Sequence, residues 1–209
     1  MHNSILNKLA CSLGRRDEQP NIEAAIWIAS TKNAQAMKEL ISLLNDKRKE
    51  VQSDSIKAIY EAGERCPELL LPYAEVFIGL LSDKHNRLQW GGMTALCAVA
   101  PLIPTKVYKA VPILLEAAEK GTVITRDYAV NILVILGREK KYQKEMFLLL
   151  NEQLLHCPVN QLPSYAEKTA TILTDKNKIV FLHTLQQRMV TLDIDTKRKR
   201  LEKLIRKIK

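Results

Sequence analysis

The sequence predicts an all-α protein assembled from stacked helical hairpins, and three observations carry that expectation. The chain has 209 residues but only 7 glycines and 8 prolines, too few for the many turns of an all-β fold. Leu, Ala, Ile, Lys and Glu dominate, a composition of good helix formers. Apolar residues recur at helical spacing, and whole stretches recur every 36 or 37 residues, the period of a two-helix repeat unit.

The repeat is read by aligning KRKEVQSDSIKAIYEAG, KHNRLQWGGMTALCAVA and KGTVITRDYAVNILVIL. Val51, Leu88 and Ile124 align, as do Ile56, Met93 and Ala129, and Ile59, Leu96 and Ile132. Each stretch is expected to be the second helix of a pair. The first helices precede them: Leu40, Ile41 and Leu44 match Phe77, Ile78 and Leu81, and VPILLEAAEKG follows with Ile113 and Leu114. Pro67 and Pro104 share the spacing and stand just past a second helix, where proline ends helical hydrogen bonding. Fainter copies flank these. NIEAAIWIAS reads as the second helix of a leading repeat, with residues 3–13 as its first. EMFLLLNEQLLHC and LPSYAEKTATIL read as a further pair, with Tyr165 and Ala166 lying 37 residues beyond Tyr128 and Ala129. The expected division is a solenoid of four to five helix pairs over residues 1–192 and a basic amphipathic helix over residues 193–209.

This pattern resembles the HEAT-repeat, armadillo-like family. The residues that carry the resemblance are Asp46, Val51, Ser55, Ile56, Ala58 and Ile59, then Asp83, Leu88, Gly92, Met93, Ala95 and Leu96, then Ile124, Tyr128, Ala129, Asn131 and Ile132. The resemblance implies a right-handed α-α superhelix of HEAT-like hairpins, with second helices lining a concave side. The physics agrees, because a helix pair buries one stripe only and needs stacked neighbours to cover the rest. Small residues at Ser55, Ala58, Gly92 and Ala95 let neighbouring helices approach. Gly92 is expected in such a packing position, the counterpart of Ser55. Gly91 is expected near a helix start, where a missing side chain is tolerated.

Trp90 is the residue this register does not absorb. On an α-helix Val51, Ser55, Ile59 and Ala62 share one face, leaving Ser53, Lys57, Tyr60 and Glu61 opposite. That opposite face is polar, as solvent would require. In the next repeat it holds Trp90, Thr94, Cys97 and Ala98, and in the third Arg126, Val130, Leu133 and Val134. Such an apolar face is either covered by the chain itself or open to a partner. The second alternative gives a partner-binding surface of Trp90, Thr94, Arg126, Val130 and Leu133, since large apolar patches mark contact sites and Trp and Arg are favoured at their centres.

Net charge is +9, but it is concentrated. The tail TKRKRLEKLIRKIK holds Lys197, Arg198, Lys199, Arg200, Lys203, Arg206, Lys207 and Lys209 against Glu202, so residues 1–196 are nearly neutral. Leu201, Leu204, Ile205 and Ile208 recur at helical spacing within it. The basic tail is expected to cap the last repeat, to contact nucleic acid or an anionic surface, or to fold back over the apolar groove.

Catalytic groupings are sparse. His2, His85, His156 and His183 are too scattered for a metal motif, and neither a phosphate-binding glycine loop nor a nucleophile elbow occurs. No metal, cofactor or catalytic residue is expected. Cys11, Cys66, Cys97 and Cys157 form no C-x-x-C pair and sit in apolar surroundings, which suits free thiols in a reducing compartment. Lys8 interrupts what would be the apolar core of a leader peptide, and no apolar run reaches membrane-spanning length, so a cytoplasmic protein is expected. The function expected is that of a non-enzymatic scaffold or adaptor binding a protein or peptide. The alternative is a nucleic-acid binder similar to HEAT-like DNA alkylation-repair glycosylases. Trp90, Arg126 and Asp127 are of the right types for such a site, but the aromatic–carboxylate spacing of that family is absent.

Overall fold

The computed structural model describes residues 4–190, 192 and 194–208. Twelve α-helices and two 3-10 helices, and no strand, occur among the described residues. The chain divides into two compact units, residues 1–129 and 130–209.

The first unit opens with a 3-10 turn, Ile5–Lys8, where a helix was expected. Helix α1 (Gln19–Thr31) follows, then α2 (Ala34–Leu43) and α3 (Lys49–Arg65). A second 3-10 segment, Pro67–Tyr73, leads into α4 (Ala74–Leu80), and α5 (Asn86–Val99) returns. Next come α6 (Pro104–Lys109), α7 (Val111–Lys120) and α8 (Val123–Gly137), within which the division between units falls. The second helices α1, α3 and α5 stack in that order, with α2 on α3 and α4 on α5. Proline breaks the first helices. Pro72 lies inside the 3-10 segment and Pro112 at the start of α7, where the missing N–H costs nothing. The core is continuous, with Leu40, Val51, Ile59, Phe77 and Leu96 all fully buried.

The repeat extends to single hydrogen bonds. Asp46 Oδ1 accepts the Arg48 N–H at 2.8 Å, and Asp83 Oδ1 accepts the His85 N–H at 2.7 Å, fixing the turn before α3 and α5. Gln89 Nε2 donates to the Leu81 carbonyl at 3.0 Å, and Arg126 Nε donates to the Ala118 carbonyl at 3.1 Å. Donor and acceptor both advance by 37 residues, so the spacing into the third repeat is 37 rather than 36. Burial agrees. Ile124, expected in the core, is 42% exposed, and Thr125, 37 residues beyond Leu88, is 0% exposed. The expected register is therefore one residue out at this point.

The second unit contains α9 (Gln143–His156), α10 (Leu162–Ala170), α11 (Asp175–Val190) and α12 (Asp195–Ile208). Helix α9 packs on α10 and α11, and α12 packs on α10 and α11. Phe147, Tyr165, Phe181, Leu185 and Leu201 form its core. Arg188 fastens α11 to the end of α9, donating to the carbonyls of Leu154, Leu155 and Cys157.

Helix α1 ends on Lys32, a left-handed residue (φ 49°, ψ 42°) whose N–H closes on the Ala29 and Ile28 carbonyls. A side chain in that conformation costs energy that glycine avoids, and glycine is the common residue there. Lys32→Gly is expected to raise stability by a few tenths to about 1 kcal/mol, read as a higher Tm.

Candidate functional site

Trp90 lies on α5 at the partly exposed side of the second-helix layer. The two glycines after it explain how α5 sits there. A methyl group at Gly91 would enter the side chain of Ile56 on α3. One at Gly92 would fall 2.8 Å from Leu80 Cβ and 3.2 Å from the Phe77 carbonyl oxygen on α4. Gly92 is thus the packing glycine that the repeat register predicts. Gly91 is equally constrained, which its place near a helix start does not suggest.

With α5 drawn against α3, Trp90 meets a neighbour from each helix. The Arg87 guanidinium stands over its ring, 4.4 Å from the centroid, one turn earlier on α5. The Tyr60 ring of α3 is 5.5 Å away at 49°, a tilted aromatic pair. Arg87 also pairs with Glu18, at the start of α1. Glu18 pairs with Lys57 at 3.1 Å, Lys57 with Glu61 at 2.8 Å, and Glu61 with Arg65 at 2.7 Å. Lys57 Nζ is 5.1 Å from the Tyr60 ring centre. Lys57 (9% exposed) and Tyr60 (6%) are buried, although their own helix presents them on its polar side. Glu18, Arg87 and Trp90 of the adjacent repeats cover them. None of Glu18, Lys57, Tyr60 or Arg87 stood out as a site residue in the sequence. The available signal was Arg87 at three residues before Trp90, a spacing that stacks on a helix.

Next to this cluster is a small pocket of about 230 Å³, walled by Gly63, Glu64, Thr94, Cys97, Ala98 and Tyr128. The Tyr128 hydroxyl donates to Glu64 at 3.5 Å. The Thr94 hydroxyl turns back to the Trp90 carbonyl at 2.9 Å, so Thr94 forms wall rather than contact surface.

Burial pushes the Glu18 carboxyl up, but hydrogen bonds from Lys57 and Arg87 outweigh it and hold the group below the usual glutamate range. Glu61 behaves alike, with burial outweighed by Lys57 and Arg65. For Lys57 burial disfavours the charge, yet Glu61, Tyr60 and Glu18 together raise its pKa. Depressed carboxylates stabilise the fold fully above their unfolded pKa of about 4.3 and lose that contribution as pH falls through the lower folded value. Tm is therefore expected to stay level from neutral pH to about 5 and to fall below about 4. Titrating Tm of a Glu18→Gln/Glu61→Gln variant should show a smaller acid-side fall.

Two residues expected on the contact surface are buried instead, and a third, Arg126, is half-buried and tied back within its own repeat. Val130 (1% exposed) and Leu133 (0%) are closed to solvent. At the 37-residue spacing they succeed Met93 and Leu96, which are core positions, and α8 is apolar around most of its circumference from Ala129 to Leu136. Arg126 succeeds Gln89 and is held by the Ala118 carbonyl. Of the five, Trp90 and Arg126 stay partly exposed, and Trp90 sits beside other polar and aromatic groups.

In the basic tail, α12 buries Leu201 and Ile205 while packing on α10 and α11, so its apolar face closes the second unit. Arg200 grips Glu167 at 2.5 and 2.7 Å, Lys197 donates to Asn160 and Arg198 to the Leu192 carbonyl at 2.6 Å. Lys199, Lys203, Arg206 and Lys207 remain exposed. Asp193 and Lys209 of the expected tail, and His2, lie outside the described residues. His85 faces Gln52 at 3.1 Å and His156 faces Glu152 at 2.8 Å. Among the described residues no group of three His, Cys, Asp or Glu is placed to hold a metal ion. None of the four cysteines is joined in a disulfide. Burial pushes the Cys11 and Cys157 thiols up to about 11, for Cys11 with the added effect of Asp54. No helix is long and apolar enough to cross a membrane, among the described residues.

The chain has an armadillo-like helical repeat fold. It is similar in structure to a computationally designed armadillo repeat protein for modular peptide recognition, at 14% identity and a TM-score of 0.61, over 95% of both chains. A second designed armadillo repeat protein matches at 13% identity and 0.60, over 98% of both. An engineered protein matches at 19% identity and 0.62, again over 98% of both. No protein-family model and no curated protein matches the chain.

Proposed function

We propose that the chain is a non-enzymatic scaffold that recognises a protein or peptide segment through the second-helix face of its first unit. The observation that carries this reading is the partly exposed Trp90 ring, stacked by Arg87, backed by Tyr60 and set beside a pocket of about 230 Å³. Trp, Tyr and Arg are the residue types that dominate binding energy at interfaces, and here they are fixed before any partner arrives. The similarity to a repeat protein designed for peptide recognition supports the same reading. Four thiols outside any disulfide, two of them buried, are consistent with a cytoplasmic setting.

The test is a peptide-library selection on the full chain, followed by binding of the selected peptides to Trp90→Ala and Ala98→Glu. Both variants should keep the wild-type circular dichroism spectrum and lose capture, and capture should vary little with salt. Should Trp90→Ala fail to fold, Ala98→Glu at the pocket edge still reports on the surface. Duplex DNA binding that collapses as salt rises, with no peptide selected, would favour the nucleic-acid reading instead.

A further inference from the structure

The second unit carries a different surface that the reading above does not use. Residues 130–196 hold 8 Lys and Arg against 7 Asp and Glu, so apart from the basic tail the positive charge of this unit is a local feature. A groove of about 710 Å³ runs between α9 and the start of α11. Its floor is Phe147, and its apolar walls are Leu148, 56% exposed, and Val180, 47% exposed. Ile179, 77% exposed, is a further apolar side chain beside Val180 on α11, outside the groove lining. Exposed Lys140, Lys144 and Lys176 edge the groove, with Asp175 its one lining acid. Among the described residues no ion pair engages any of these three lysines.

We infer that this groove docks an acidic amphipathic helix of a partner protein. Exposed aliphatic side chains beside a recessed aromatic floor suit the apolar stripe of a helix, which reads as anchors at i, i+3, i+4 and i+7. The lysines then face the carboxylates that flank such a stripe. Charge complementarity of this kind guides encounter and excludes basic segments. A bilayer is the poorer fit, since Phe147 lies recessed and almost fully buried rather than projecting.

The probe is a fluorescein-labelled synthetic helix with leucines along one stripe and glutamates elsewhere, titrated with the full chain. A matched helix with lysines for glutamates, and vesicles of phosphatidylserine and phosphatidylcholine, are the comparison arms. The acidic helix should bind, and bind less tightly as salt rises. Lys140→Glu/Lys144→Glu/Lys176→Glu and, separately, Val180→Asp should each weaken it by about tenfold or more with Tm unchanged, since all four positions are exposed. Trp90→Ala should bind it as the wild type does, which separates this surface from that on α3 and α5. Failure of the acidic helix to bind, equal binding of the lysine helix, unaltered affinity in the triple variant, or association with vesicles alone would each overturn the inference.

Discussion

Gly91→Ala/Gly92→Ala should lower stability by about 2–4 kcal/mol, a Tm drop of roughly 5–15 °C, even though alanine is the better helix former. Replacing a helical glycine gains up to about 1 kcal/mol at each site. Overpacking opposes this with about 1–3 kcal/mol each, and here the obstacles are stiff. Gly91 faces the whole Ile56 side chain, including Cβ at 3.4 Å, so no single rotation makes room. Gly92 faces a Cβ and a backbone oxygen, neither of which can turn aside. A double-mutant cycle of Gly91→Ala with Ile56→Ala isolates the contact. Ile56→Ala removes the atoms that the new methyl meets, so the pair should cost less than the sum of its parts by about 0.5–3 kcal/mol. Strict additivity would mean that α3 and α5 do not meet at this point.

Asn21→Ala should cost a similar amount, about 2–4 kcal/mol, by a different route. Asn21 is fully buried on α1. Its Oδ1 accepts the Ala10 N–H at 2.9 Å and its Nδ2 donates to Asp54 Oδ1 at 2.8 Å, while Asp54 Oδ2 accepts the Cys11 N–H at 2.7 Å. The amide thus ties the N-terminal turn, α1 and α3 together. Alanine leaves a buried backbone N–H without an acceptor and takes a donor from the carboxylate, and such groups are expensive to leave unmade. Thermal unfolding measures the loss. Asn21→Asp retains an acceptor for Ala10 but sets a second carboxylate against Asp54, so its penalty should ease as pH is lowered.

The helix pairs were legible because one face of α2 and α3 is apolar and the other polar, which gives periodicity a phase. In α8 that phase is lost. Ala129, Val130, Ile132, Leu133, Val134 and Leu136 are all buried, and spacings of 36 and 37 match an apolar run equally well. The slip at Ile124, and the misplacing of Val130 and Leu133, follow from this one ambiguity. The side-chain bond of Arg126 to Ala118 resolves it, but only in three dimensions. Trp90 was legible as an aromatic out of place. Lys57 and Tyr60 were not, because their burial comes from residues of neighbouring repeats. Pro72 and Pro112 stand where the first helices are broken, a sign the sequence reading did not use, whereas the 3-10 turn at Ile5–Lys8 carries no comparable sign.

Fluorescence of Trp90 in a Trp27→Phe background, recorded while library-selected peptides are titrated onto the full chain, reads peptide contact with the α3–α5 surface directly. If that surface takes the peptide, emission changes saturably with a midpoint equal to the Kd, and the amplitude vanishes in Ala98→Glu. A selected peptide that binds with the same Kd to Ala98→Glu and leaves the Trp90 emission unaltered would contradict it.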